Sequence, residues 1–132
     1  MTTRSEVDAI NAEYVRAMAE HDVAGMISLY AEDASLFFSD TPVLQGSAAV
    51  AAFYEDEFKD GPVAITFEST NILDGDGLVV DIGHYAMPSE RGKYVVVFRR
   101  QRDGTLKSRS RRTSPTDLDR PADPAASASA PG

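Results

Sequence analysis

Three side chains in this 132-residue sequence combine a reactive group with a suggestive position: Tyr14, Asp40 and His84. Tyr14 recurs at helical spacing with Val7, Ile10, Ala17 and Met18, so its phenol sits on an apolar helix face. There it either hydrogen-bonds a neighbouring side chain or offers a proton donor to a bound molecule. Asp40 stands before Thr41-Pro42, where aspartate suits a turn, and it is also a candidate carboxylate base. His84 shares strand parity with Val80 and Ile82, which directs it toward the interior. An imidazole titrating near neutrality could act there as acid or base. His21 falls at a helix end and reads as surface. Two histidines so far apart, with no cysteine, give no metal set, so no metal and no cofactor is expected.

Positioning these residues requires helices first and strands after. The pattern predicts a helix capped by Thr3 and Glu6, then a second helix from Asp22 with Val23, Met26, Ile27 and Tyr30 on its buried face. Residues 34–39 read as a short strand closed by a turn at 39–42. A third helix follows Ser47 as N-cap and buries Val50, Phe53, Tyr54 and Phe58. The period then changes to two. Val63, Ile65 and Phe67 alternate, Asp74-Gly75-Asp76-Gly77 makes a hairpin turn, and Leu78, Val80 and Ile82 begin the next strand. Tyr94, Val96 and Phe98 face one way on the strongest strand, and Val95 and Val97 face the other. Helices segregated from an antiparallel sheet make an α+β domain.

The last strand is the weak one. After Asp103-Gly104 and Leu106, residues 107–112 contain no apolar side chain, which predicts a solvated, loosely held edge or no pairing at all. Residues 113–132 hold four prolines and one large aliphatic side chain, so the domain is expected over 1–112 and a disordered Pro/Ala/Ser-rich tail over 113–132. Charge follows the same division. Residues 1–90 carry a net −14, 91–112 a net +8, and the whole chain −8. That acidity argues against a nucleic-acid partner, and residues 99–112 of the basic stretch lack aromatic side chains for stacking on bases. No apolar run approaches the ~20 residues of a membrane span, and the polar start lacks a signal peptide's apolar core, so the expected compartment is the cytoplasm.

Tyr14, Leu29 to Ala34, Gly46, Gly83-His84-Tyr85, Gly92 to Arg100 and Asp103-Gly104 follow one another in a set order. In that order the chain resembles the NTF2-like superfamily, with its cone-shaped, cystatin-like fold, and within it the SnoaL-like and ketosteroid-isomerase-like branch, also labelled DUF4440. The resemblance implies three helices packed on a curved antiparallel sheet, and a homodimer through the outer sheet face at Val95 and Val97. It also implies a catalytic pattern. Tyr14 matches the oxyanion donor; the place of the base falls on Phe38, with Asp40 two residues on; the second donor's place is Val96.

Three functions follow as expectations. The first is a small-molecule binder with a mostly apolar pocket, formed by Tyr14, Met18, Tyr30, Phe38, Phe53, Tyr54, Phe58, Tyr94, Val96 and Phe98. The second is an isomerase, cyclase or hydratase acting on a small apolar ketone by acid–base chemistry without metal, using Tyr14 with Asp40 or His84. The third is a non-catalytic association domain.

Overall fold

The first helix begins where a side chain can replace a missing backbone partner. The structure is a computed structural model that describes residues 2–38, 41–61 and 63–116. Asp40 and residues 117–132 of the expected tail lie outside the described residues. Helix α1 (Thr3–Glu20) is capped by Thr2, one residue before the expected Thr3; its hydroxyl accepts the Ser5 N–H at 3.1 Å. Glu6 does not turn back to the helix end. It accepts from the Arg100 guanidinium at 2.8 and 3.1 Å, tying the helix to the end of the sheet.

Asp22 caps α2 (Val23–Ile27) by accepting the Gly25 N–H at 2.9 Å. Tyr30 is not on this helix; it opens β1 (Tyr30–Phe37). A short β2 (Leu44–Gln45) leads into α3 (Ser47–Glu57). The cap of α3 is Gly46, not Ser47. Its φ of 87° is a conformation that glycine adopts without penalty. Then come β3 (Thr66–Gly75), β4 (Leu78–Met87), β5 (Glu90–Arg100) and β6 (Leu106–Thr116). Val63 and Ile65 precede β3 without joining it.

The strands make one sheet in the order β2-β1-β6-β5-β4-β3. The β1–β6 pair is parallel and the others are antiparallel. The helices cover one face, where Val7, Met26, Leu36, Val50, Tyr54, Val96 and Phe98 form the buried core.

This order overturns the expectation for residues 106–112. They are not a solvated edge. They lie in the middle of the sheet, between β1 and β5, and β6 continues to Thr116, past the expected domain end at 112. Ladder hydrogen bonds do not require apolar side chains, and two outward cations of β6 find acceptors on the neighbouring elements. Lys107 donates to the Ser28 carbonyl at 2.7 Å, and Arg109 donates to the Asp33 carbonyl at 2.9 Å.

A bulge decides which β6 residues face the helices. Phe98 pairs with Ser108 and Val97 with Ser110, so Arg109 is an extra residue. Alternation from Leu106 and Ser108 would turn Ser110 and Arg112 inward. The bulge turns Arg111 inward instead and leaves Arg112 exposed. One rung across the inner face now reads Leu36, Arg111, Val96 and Asp81. None of these four is more than 1% exposed.

On β4 the inward residues are Val79, Asp81 and Tyr85, while His84 is exposed on the outer face. The expectation that His84 points into the interior is therefore corrected. This strand carries apolar residues on both faces, and parity taken from Val80 and Ile82 followed the outer one. On β5, Tyr94, Val96 and Phe98 point inward and Val95 is exposed outward, as the alternation predicted.

Candidate functional site

Tyr14 from α1, Tyr54 from α3 and Tyr30 from β1 meet at their hydroxyls. The Tyr54 oxygen lies 2.9 Å from that of Tyr14 and 2.7 Å from that of Tyr30, so three elements share one hydrogen-bonded chain. Burial pushes the Tyr30 and Tyr54 phenols well above their ordinary range, reinforced by the neighbouring Tyr14 oxygen. Both are protonated donors at any working pH.

Arg111 lies against this chain. Its guanidinium carbon sits 4.4 Å from the centre of the Tyr14 ring and 5.6 Å from that of Phe67. These are cation–π contacts, which attract a desolvated cation. They satisfy the charge in part and the N–H groups not at all. The buried Nε and Nη2 of Arg111 have no hydrogen-bond partner, and no ion pair to Arg111 exists among the described residues. A guanidinium does not shed its proton in a protein, so this is a buried positive charge that no described residue pairs.

A second polar group lies beyond Val96 on the same rung. The Asp81 carboxylate accepts from the Asn11 amide at 3.3 Å and from the Tyr94 hydroxyl at 3.0 Å, and the Tyr94 oxygen is 3.1 Å from that of Ser69. Burial raises the Tyr94 phenol to about 12, with the Asp81 charge adding to it, so Tyr94 remains a donor. Asp81 does not line the cavity described next, and its hydrogen bonds hold α1 to β4 and β5.

A cavity of about 210 Å³ opens above Arg111. Its inner end is Tyr14, Tyr54, Phe67 and Arg111, and its walls are Met18, Phe38, Phe53 and Ile65. Glu57 and Glu90 stand among the remaining lining residues, with Thr41, Tyr85, Met87, Thr113 and Pro115. The Tyr85 hydroxyl donates to Glu90 at 2.6 Å. Glu57 is raised above its ordinary pKa by partial burial and by the charges of Asp56, Asp60 and Glu90.

The expected pocket residues therefore divide. Tyr14, Met18, Phe38, Phe53 and Tyr54 line the cavity. Tyr30, Phe58, Tyr94, Val96 and Phe98 are buried in the core behind it. His84 is on the other side of the sheet. Arg111 and the acidic pair Glu57 and Glu90 were not singled out from sequence. Glu57 ends a helix whose Val50, Phe53 and Tyr54 were read as buried, so helical spacing could have flagged it. Arg111 sits in a run that reads as solvated, and no sequence signal marks the bulge that turns it inward.

This geometry supplies donors and a fixed cation at the inner end of an apolar cavity. It can hold an oxygen that carries or develops negative charge, because preorganised donors in a dry site stabilise such charge strongly. Among the described residues, the carboxylates lining the cavity are Glu57, which is exposed, and Glu90, which is half-buried.

Residues 12–108 match the model of the SnoaL-like domain. The chain belongs to the SnoaL-like family. Solved structures agree on the architecture. A ketosteroid isomerase-like protein from Erwinia carotovora atroseptica aligns with a TM-score of 0.73 at 15% identity, covering 86% of this chain and 95% of that one. An NTF2-like protein with a cystatin-like fold from Novosphingobium aromaticivorans aligns at 0.75 and 17%, covering 95% and 86%. ActVI-ORFA from Streptomyces coelicolor aligns at 0.73 and 20%, covering 85% and 96%. At these identities the likeness establishes the NTF2-like, cystatin-like fold of this SnoaL-like chain. No curated protein matches the sequence. None of the described helices is long and apolar enough to cross a membrane.

Proposed function

We propose that this SnoaL-like protein binds a small organic molecule with an apolar body inside its cone. The observation that carries the reading is the aromatic-walled cavity of about 210 Å³ ending on the Tyr14–Tyr54 hydroxyl pair. Its size sets the ligand class. A 150 Å³ apolar cavity holds one benzene ring, so this one suits a single ring with a short arm and is too small for a four-ring steroid. The test is calorimetry or ligand-observed NMR with a panel of single-ring compounds, acids and neutral molecules both. Micromolar to low-millimolar binding is expected for part of the panel. It should be lost in Ile65→Trp, which fills the cavity, provided circular dichroism shows that variant folded. A panel with no binder at millimolar concentration sinks the reading.

The tyrosine chain favours a second reading, an isomerase or cyclase in which Tyr14 and Arg111 stabilise an enolate oxygen. Such chemistry also needs a base within hydrogen-bond reach of the substrate. The candidates are Asp40 and the lining carboxylate Glu57. On this reading, Tyr14→Phe lowers turnover of a single-ring ketone by ~10²-fold or more, the scale of one lost oxyanion donor. Unchanged turnover removes the enzymatic reading and leaves binding intact.

We also propose that two copies pair through the outer sheet face around Val95 and Val97. Val95 is 39% exposed there, and Leu78 on the adjoining β4 and Leu73 on β3 beyond it are exposed as well, which supports an association surface.

A further inference from the structure

We propose that the molecule bound in the cone is a monocarboxylic acid whose carboxylate is held by Arg111. This rests on the reading of the cone as a ligand pocket and names the ligand's chemical class. The two buried nitrogens of Arg111 without a partner are Nε and Nη2. These lie along one edge of the guanidinium plane, and their N–H bonds run side by side. That edge matches the two oxygens of a carboxylate, which accept in parallel; both nitrogens are closed to solvent, so the side chains packed on them must shift to admit one. The opposite requirement comes from the protein. Among the described residues, the buried guanidinium has aromatic rings beside it and no ion-pair partner, so a monoanion entering the cavity completes what they leave open.

The rest of the cavity narrows the class. Met18, Phe38, Phe53 and Ile65 offer no charge to a second polar group, so the body beyond the carboxylate is apolar. Glu57, which is exposed, and Glu90, which is half-buried, also line the cavity, and they repel a second negative charge on the ligand. A dicarboxylate or a phosphate dianion is therefore disfavoured against a monoacid of the same size.

The experiment uses the full chain and four probes: 3-phenylpropanoate, its amide 3-phenylpropanamide, phenylsuccinate as the diacid, and phenyl phosphate. Each is titrated by calorimetry at neutral pH into the wild type, Arg111→Met and Arg111→Lys. In the wild type, 3-phenylpropanoate is expected to bind at least tenfold tighter than its amide and than either dianion. Arg111→Met should lose at least tenfold for the acid and keep or gain affinity for the amide. Arg111→Lys keeps the charge without the parallel edge, so it should fall between the two, and it carries the test if Arg111→Met does not fold. Equal affinity of acid and amide in the wild type overturns the proposal and leaves the pocket reading standing. So does acid binding that survives in Arg111→Met, while phenyl phosphate binding tightest would move the site to phosphate esters and overturn the carboxylate. If neither acid nor amide binds, while other neutral single-ring compounds do, the carboxylate falls alone. If the whole panel fails, the pocket reading falls with it.

Discussion

At the scale of single residues, Arg111 is where fold stability and binding pull apart. A charge taken from water into a protein interior costs several kcal/mol unless a partner offsets it, and replacing buried ionic groups with apolar ones of similar volume is often stabilising. The Tyr14 and Phe67 rings return only part of that cost, since a cation–π contact contributes about 2 kcal/mol when desolvated. Arg111→Met fills nearly the same volume without charge or unmet N–H groups. In the absence of ligand it is expected to stabilise the protein by ~1–3 kcal/mol, read as a higher urea midpoint at unchanged slope. A loss of stability would mean that Arg111 is a structural member of the core and not a group held open for a ligand. The tyrosines behave differently. Tyr54 joins Tyr14 to Tyr30 through hydroxyls that are already partnered, so that chain is satisfied without a bound molecule.

At the scale of elements, β6 separates what could be read in the sequence from what could not. Helical spacing located α1 and α3 and brought Tyr14, Met18, Phe53 and Tyr54 to one cavity, because both helices bury a single face against a single sheet. Strand alternation worked on β5, where Tyr94, Val96 and Phe98 contrast with a partly exposed opposite face. It failed on β4, whose two faces are both apolar near Val79 and Val80, and so it sent His84 to the wrong side. It failed again on β6, because a bulge is set by pairing with β5 and leaves no mark in a run of Ser, Arg and Lys. The central place of β6 has a dynamic consequence. Its amides are bonded on both sides, to β1 and to β5, as those of β5 are to β4 and β6. Hydrogen–deuterium exchange is therefore expected to be as slow at Ser110 to Arg112 as at Val95 to Phe98. Rapid exchange of the β6 segment alone would show a loosely held strand, as its composition predicts, and would undermine the placement of Arg111 as well.

At the scale of the whole molecule, the uneven charge bears on how two copies could meet. The acidic excess belongs to residues 1–90, and the basic excess is concentrated on β5 and β6. Around the exposed Val95, the rungs of the outer face carry Lys93, Arg99 and Arg112. Arg99 is paired with Asp33 at 2.9 Å, while Lys93 and Arg112 have no ion pair among the described residues. A two-fold interface centred on Val95 and Val97 brings these cations of one protomer near those of the other, because the same patch must face itself. The apolar contact then favours association while the cations oppose it. Salt screens the second effect over a Debye length of about 10 Å at 0.1 M and about 3 Å at 1 M, and leaves the first intact. The dimer is accordingly expected to tighten as sodium chloride rises from 50 mM to 500 mM, measured by sedimentation equilibrium. Val95→Lys should dissociate it in low salt, by adding a further cation at the apolar centre. Lys93→Gln should instead strengthen it there and flatten the salt dependence. A dimer that weakens with salt would mean that opposite charges meet at the interface, and therefore that the copies do not pair through this cationic face.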